Sequence, residues 1–183
     1  MNEERLRETV IAREQVFPGK IIDVQKWTVT LPNGEKGERE IVLHRGASAI
    51  VPVDGEGNTY LVRQYRAAIG EVLSEIPAGK LDYAGEDYLD AAKRELREET
   101  GFTAEKWTLL TKLITTPGFS SEVIAVYLAE GLVKGETDFD EDEFIDMEKL
   151  SLREAVEKVK RGELRDGKTV AGLLLAAEKC AGE

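Results

Sequence analysis

Positive charge, cysteine, histidine and long apolar runs are all scarce in this 183-residue chain. Lysine and arginine number 25 against 36 aspartates and glutamates, a formal net charge of -11. That balance argues against a nucleic-acid backbone or an anionic membrane surface as the main partner. It leaves room for small anionic ligands, because a divalent metal inverts the local field. The one cysteine, Cys180, permits no intrachain disulfide, so a reducing compartment, the cytoplasm, is the expected location. Cys180 lies on an apolar stretch, where packing is a commoner role than catalysis. The longest apolar run, AGLLLAA at 171–177, is too short to span a bilayer. The opening MNEERLRETV has no apolar centre, so no signal peptide is expected. What remains is 42% hydrophobic and 33% charged, the balance of a soluble protein with one full core and a small appended lobe.

Residues 1–10 read as a polar lead-in of helical character. KIIDVQKWTVTLPNGEKGEREIVLHRG then predicts two strands around a Pro-Asn-Gly turn. ASAIVPVD and NTYLVRQYR flank GEGN, a second hairpin signal, and EVLSEIPAGKLDYAG carries a short strand and a Gly-bearing loop. A helix is expected from about 86 to 100, with Glu86 and Asp87 in its first turn and Gly101 past its end. WTLLTKLIT and VIAVYLAEGL read as strands around the loop TPGFSSE; KGETDFDEDEF is an acidic loop and FIDMEKL a last strand. Ser151 and Glu154 have capping-box spacing at the head of SLREAVEKVKRGEL, and a final helix fills roughly 167–180. Mixed strands with few helices make the fold class α+β.

On the 86–100 helix, Leu89, Ala92 and Leu96 form one apolar arc, and Lys93, Arg94 and Arg97 another, with Glu86 and Asp90 nearby. Asp90 and Arg94 are an i,i+4 pair in the favourable order. Glu95, Glu98 and Glu99 gather on a third arc bordering the apolar stripe. Two readings stand side by side. One is a solvated charged face, which the reach of Glu98 to Arg94 favours. The other starts from Glu95 and Glu99, an i,i+4 like-charge pair that costs a few tenths of a kcal/mol on its own. A hard divalent cation removes that repulsion and favours oxygen ligands. Gly79 in PAGK lets a loop pass close to the helix, so that a backbone carbonyl can join the metal shell. The residues thus point to a metal-dependent site for a phosphate-bearing ligand.

Here the chain resembles the Nudix hydrolases, whose signature is Gly, five residues, Glu, seven residues, then Arg-Glu-apolar-x-Glu-Glu-x-Gly-apolar. Gly79 opens it, Glu86 follows, and Arg94-Glu95-Leu96-Arg97-Glu98-Glu99-Thr100-Gly101-Phe102 closes it. Six residues, not five, separate Gly79 from Glu86. The extra one falls in KLDYAG and is expected to lengthen the loop while leaving the helical register intact. YLVRQYR, EIPAGK and TPGFSSE, with Pro117-Gly118, are similar to the ADP-ribose pyrophosphatase branch.

The resemblance implies an α/β/α sandwich around a mixed sheet (residues 46–183), preceded by a small antiparallel β lobe (residues 1–45) that helps form a homodimer. It implies Mg²⁺-dependent hydrolysis of ADP-ribose to AMP and ribose 5-phosphate, with Mn²⁺ as the alternative metal. Other nucleoside diphosphate sugars, ADP-glucose or GDP-mannose, are the alternative substrates, and a nucleotide-binding module without turnover is the non-enzymatic one. By motif position, Glu95 and Glu99 are metal ligands with the carbonyl of Ala78. Glu98 and Glu99 belong to the catalytic set, Glu98 also as a further ligand. Glu86 and Arg94 pair and orient the helix. Glu143 of the acidic loop, with Glu141 second, is expected to accept the proton of the attacking water or to hold another metal; the bland reading is a solvated loop. Arg66 is the candidate contact to the phosphates or the adjoining ribose, against an ordinary ion pair. Arg39 and Glu40 are candidates for adenine recognition. Trp27 either stacks a base or packs, Phe119 either lines the pocket or closes the core, and His44, the only histidine, is expected to be structural.

Overall fold

The computed structural model describes residues 3–135 and 145–182, which divide into two units. Of these, residues 3–46 and 114–123 form one unit; residues 47–113, 124–135 and 145–182 form the other.

The first unit is a three-stranded antiparallel sheet in the order β1-β2-β3: β1 Thr9–Pro18, β2 Ile22–Thr30 and β3 Lys36–His44. The Pro-Asn-Gly turn joins β2 to β3 as expected. Gly34 has φ 85°, the left-handed region that favours glycine, and the Leu31 amide donates to Glu35 O at 2.8 Å. The lead-in differs from expectation. Only Glu3–Leu6 make a 3-10 turn, and β1 begins at Thr9. A charged pair, Arg13-Glu14, masks the strand in the sequence, because all ten residues of β1 are exposed and no buried face imposes alternation. The stretch 114–123 clips onto β3: the Val42 amide donates to Phe119 O (2.7 Å) and the Ser121 amide to Val42 O (3.0 Å). Phe119 contributes its carbonyl, while its ring is 53% exposed and closes no core.

In the second unit a mixed sheet runs β10-β5-β4-β9-β8, with β6 beside β5 and β7 beside β4. Its strands are β4 Ala47–Val53, β5 Asn58–Arg66, β6 Glu71–Glu75, β7 Ala78–Lys80, β8 Phe102–Ile114, β9 Val123–Lys134 and β10 Asp146–Ser151. The central pair β4/β9 is parallel, Ala47 opposite Ile124 through Val53 opposite Glu130. Every residue of β4 is buried, as a strand covered on both faces requires. Ala49, Val51, Val126 and Leu128 pack with Ala155, Leu173 and Ala176 of the helices α2 Leu152–Lys160 and α3 Gly167–Ala181. Ile50, Ala125 and Tyr127 point the other way, onto Ala92 and Leu96 of α1 Tyr88–Thr100. The result is the expected α/β/α sandwich within an α+β protein. Ser151 caps α2 by accepting from the Glu154 amide at 3.1 Å, as its spacing predicts. No described helix is long and apolar enough to cross a membrane.

Candidate metal and catalytic site

Asp87 starts α1: its Oδ1 accepts from the amides of Leu89 (2.8 Å) and Asp90 (3.3 Å). The helix therefore begins at Tyr88, and Glu86 lies before the cap instead of in the first turn. Gly101, at φ 72°, ends it. Between these caps the apolar arc faces the sheet, with Ala92 and Leu96 both fully buried. That orientation carries Glu95 and Glu99 to the rim of the core, where they are 9% and 3% exposed.

The extra residue before Glu86 is absorbed in a turn. The Glu86 amide donates to Tyr83 O (3.3 Å), and Gly85 takes φ 88°. Glu86 then turns back, accepting from the Asp82 amide at 2.7 Å. The helix register follows from the Asp87 cap and is undisturbed.

Arg94 is the hub. Its Nη1 donates to Glu95 Oε1 (2.6 Å) and Glu98 Oε2 (3.1 Å), and its Nη2 to the Lys80 carbonyl (3.3 Å). Asp82 lies 3.3 Å from its Nε and Glu86 3.6 Å from its Nη2. Burial works against the Arg94 charge, but Glu95, Asp82 and Glu98 outweigh it and hold the guanidinium above its ordinary value. Arg97 reaches Glu98 at 3.7 Å. The expected pairing of Glu86 with Arg94 is thus one spoke of a wider network.

The PAGK stretch is a short strand, β7, not a free loop: Ser48 faces Gly79 and Ala49 faces Ala78 across the antiparallel pair. The Ala78 amide donates to Glu99 Oε2 at 3.0 Å. Gly79 passes so close to α1 that a Cβ there would lie 1.9 Å from the Glu95 carboxyl carbon. Ala78, Gly79, Glu95 and Glu99 thus come together, with Glu86, Arg94 and Glu98 around them. Among the described residues no three His, Cys, Asp or Glu side chains form a ready-made metal cage. Two buried carboxylates beside backbone still fit a hard cation of the Mg²⁺ kind, which takes one or two carboxylates and completes its shell with water and substrate phosphate.

A model of the NUDIX domain matches residues 42–173. The chain belongs to this family. Among its relatives, an ADP-ribose pyrophosphatase of Bacillus subtilis (strain 168) is 45% identical over 166 residues, 90% of this chain and 89% of that protein. A methanol dehydrogenase activator of Bacillus methanolicus is 44% identical over 165 residues, 89% of each. A crystal structure of an ADP compounds hydrolase superposes with a TM-score of 0.84 at 26% identity, covering 96% of this chain and 95% of that one.

Other residues singled out in this Nudix chain fall into three places. Arg66, at the end of β5, makes a two-pronged bond to Glu75: Nε to Oε1 at 2.7 Å and Nη2 to Oε2 at 2.8 Å. Glu75 is 1% exposed and does not stand out in the sequence. Its one signal there is a carboxylate wedged before Ile76-Pro77, on the strand paired with RQYR, where burial demands a cation. Arg39 and Glu40 lie on β3 of the first unit. There Arg39 pairs with Glu8 and donates to Glu38 O (2.8 Å), and Glu40 stands opposite Lys26. Trp27 lies beneath Arg13, 4.6 Å from the guanidinium carbon to the ring centroid, and its indole N–H donates to Gln25 at 2.8 Å. His44 Nδ1 accepts from the Gly46 amide at 3.1 Å, a local structural contact. Glu141 and Glu143 lie outside the described residues.

Proposed function

We propose that this Nudix protein hydrolyses the pyrophosphate bond of ADP-ribose, releasing AMP and ribose 5-phosphate, with Mg²⁺ as its metal. The observation that carries the reading is the pair of buried carboxylates, Glu95 and Glu99, held against β7 where only a glycine fits. The name of the Bacillus subtilis relative supports the substrate.

Glu95, Glu99 and the Ala78 carbonyl are the residues that would hold the cation, with Glu98 as a further ligand. When bound, the metal neutralises phosphate charge and lowers the pKa of the attacking water. The chain's own work is positioning. Arg94 aims Glu95 and Glu98, and Glu86 and Asp82 hold Arg94 in turn. The Ala78 amide fixes Glu99. Arg66 holds Glu75 through Nε and Nη2 and is assigned to the phosphates through its remaining Nη1 edge. Arg39 and Glu40 are assigned to the adenine. The water oxygen bonds to one phosphorus as the bridging P–O bond breaks, and its proton passes to a carboxylate of the acidic segment, Glu143 before Glu141.

The active form in this reading is a homodimer in the cytoplasm, built through the lobe of residues 1–45. The exposed edge strand β1 supports it: Ile11, Val16 and Phe17 are 49%, 61% and 57% exposed, on a strand with open ladder groups. A second reading, a regulatory partner for a dehydrogenase, is favoured by the Bacillus methanolicus relative.

Product formation from ADP-ribose, ADP-glucose, GDP-mannose and NADH with Mg²⁺, and with chelator as control, tests the proposal. AMP formed fastest from ADP-ribose and abolished by chelator supports it. Faster turnover of another sugar nucleotide overturns the substrate assignment, and no turnover with Mg²⁺ or Mn²⁺ leaves the regulatory reading in front.

A further inference from the structure

Glu75 holds two cations, not one. Besides the fork of Arg66, it accepts from Lys168 Nζ through Oε2. Lys168 is anchored in the first turn of α3, where Asp166 also holds its ammonium at 3.0 Å, and its side chain is only 10% exposed. The neighbouring Thr169 accepts from the Ile76 amide at 2.9 Å, so this turn grips the backbone next to Glu75. Packing alone does not account for an ionic cluster around the buried Glu75, because apolar side chains of like volume stabilise as well or better.

The charge arithmetic suggests a use. A lone Glu75–Arg66 pair would be neutral. Lys168 and the Asp166 that holds it add one charge of each sign, so the four groups together are neutral, and without Lys168 they would carry one net negative charge. Arg66 spends Nε and Nη2 on Glu75, and its rigid fork then turns the Nη1 edge away from the carboxylate. The Arg66 side chain is 40% exposed, so this edge has access to solvent.

We infer that Lys168 is a positioning residue: by sharing Glu75 it keeps Arg66 fixed and offsets the two carboxylates behind it, so that the guanidinium meets the phosphates of the substrate with no net negative charge at its back. The inference deepens the proposed reading and rests on its assignment of Arg66.

The test uses the full chain with Lys168→Met, Lys168→Arg and Arg66→Ala. KM and kcat for ADP-ribose are measured with Mg²⁺, and the affinity for inorganic pyrophosphate with Mg²⁺ is measured by calorimetry. Removing one unit charge near a half-exposed anion site should raise KM and weaken pyrophosphate binding about tenfold. Turnover at saturation should stay within about threefold, since the loss is one of uniform binding. Lys168→Arg should restore most of the affinity. If Lys168→Met fails to fold, Lys168→Gln serves in its place. A lowered melting temperature with unchanged KM and pyrophosphate affinity makes Lys168 merely structural and overturns the inference. If the wild type does not cleave ADP-ribose, the substrate reading falls, but the calorimetry still decides. Weaker pyrophosphate binding in both Lys168→Met and Arg66→Ala upholds the inference, and equal binding in all variants refutes it.

Discussion

Gly79→Ala separates the geometry of this site from its stability. The added Cβ would lie 1.9 Å from the carboxyl carbon of Glu95, 1.9 Å from Oε1 and 2.2 Å from Oε2. Carbon atoms in ordinary contact sit about 3.5 Å apart, so the carboxylate must move by about 1.6 Å. The φ of Gly79 is not in the left-handed region, so alanine meets no backbone penalty. The clash is with the end of a flexible side chain, which can rotate away. Rotation forfeits the 2.6 Å bond from Arg94, a charge-assisted contact worth about 1.5–3 kcal/mol when well buried and less at this rim. The fold should therefore survive with a loss of about 1–2 kcal/mol, a drop of a few degrees in Tm for a chain of this size. Activity should suffer far more, because a displacement of about 1 Å in a catalytic group costs on the order of a hundredfold. The assay is kcat for ADP-ribose across a Mg²⁺ titration, beside a thermal melt. A Gly79→Ala enzyme with wild-type kcat and metal dependence would refute the placement of Glu95. A collapse of the fold would refute the claim that the clash is confined to a movable end.

Three further outcomes are expected. In a thermal melt, Mg²⁺ at about a hundred times its Kd should stabilise the protein by about 2.7 kcal/mol; chelator should reverse the shift, and Glu99→Gln should abolish most of it. Burial opposes the charge of Glu75, but Arg66 and Lys168 outweigh it and hold its carboxyl below the ordinary value. Its stabilisation is then fully present above the unfolded pKa of about 4.3 and is lost as the pH falls through the lower folded value. Glu75→Gln should accordingly be destabilising at pH 7, with the gap narrowing in acid on chemical denaturation curves, and a gap that does not narrow as the pH falls would contradict the linkage. Phe17→Asp on β1 should shift sedimentation from dimer toward monomer, since each buried apolar side chain contributes about 1.5–3 kcal/mol; an unchanged dimer would remove β1 from the interface.

Much of α1 is legible in the order of its residues. Its Gly101 end, its apolar arc and the run of Glu95, Glu98 and Glu99 are local matters of helical period and end chemistry; its start falls two residues later than expected, because the Asp87 side chain caps the helix and so stands outside the first turn. The β2–β3 hairpin is readable for the same reason, because its turn residues dictate a left-handed glycine at Gly34. β1 is not, since a strand exposed on every residue carries no period of two. Nor is the docking of 114–123 on β3, which rests on backbone bonds that any sequence can make.

Local spacing by itself determined which carboxylates share a helix face and that a divalent metal suits them. Tertiary structure alone decided which of them meet a strand, because the approach of β7 to α1 depends on β4 lying buried between helices on both faces. It alone joined Glu75 to Lys168, 93 positions apart in the chain. Periodicity reports neighbours along an element. A buried charge draws its partner from wherever folding brings a cation within reach, because the low dielectric makes an unpaired one too costly to bury.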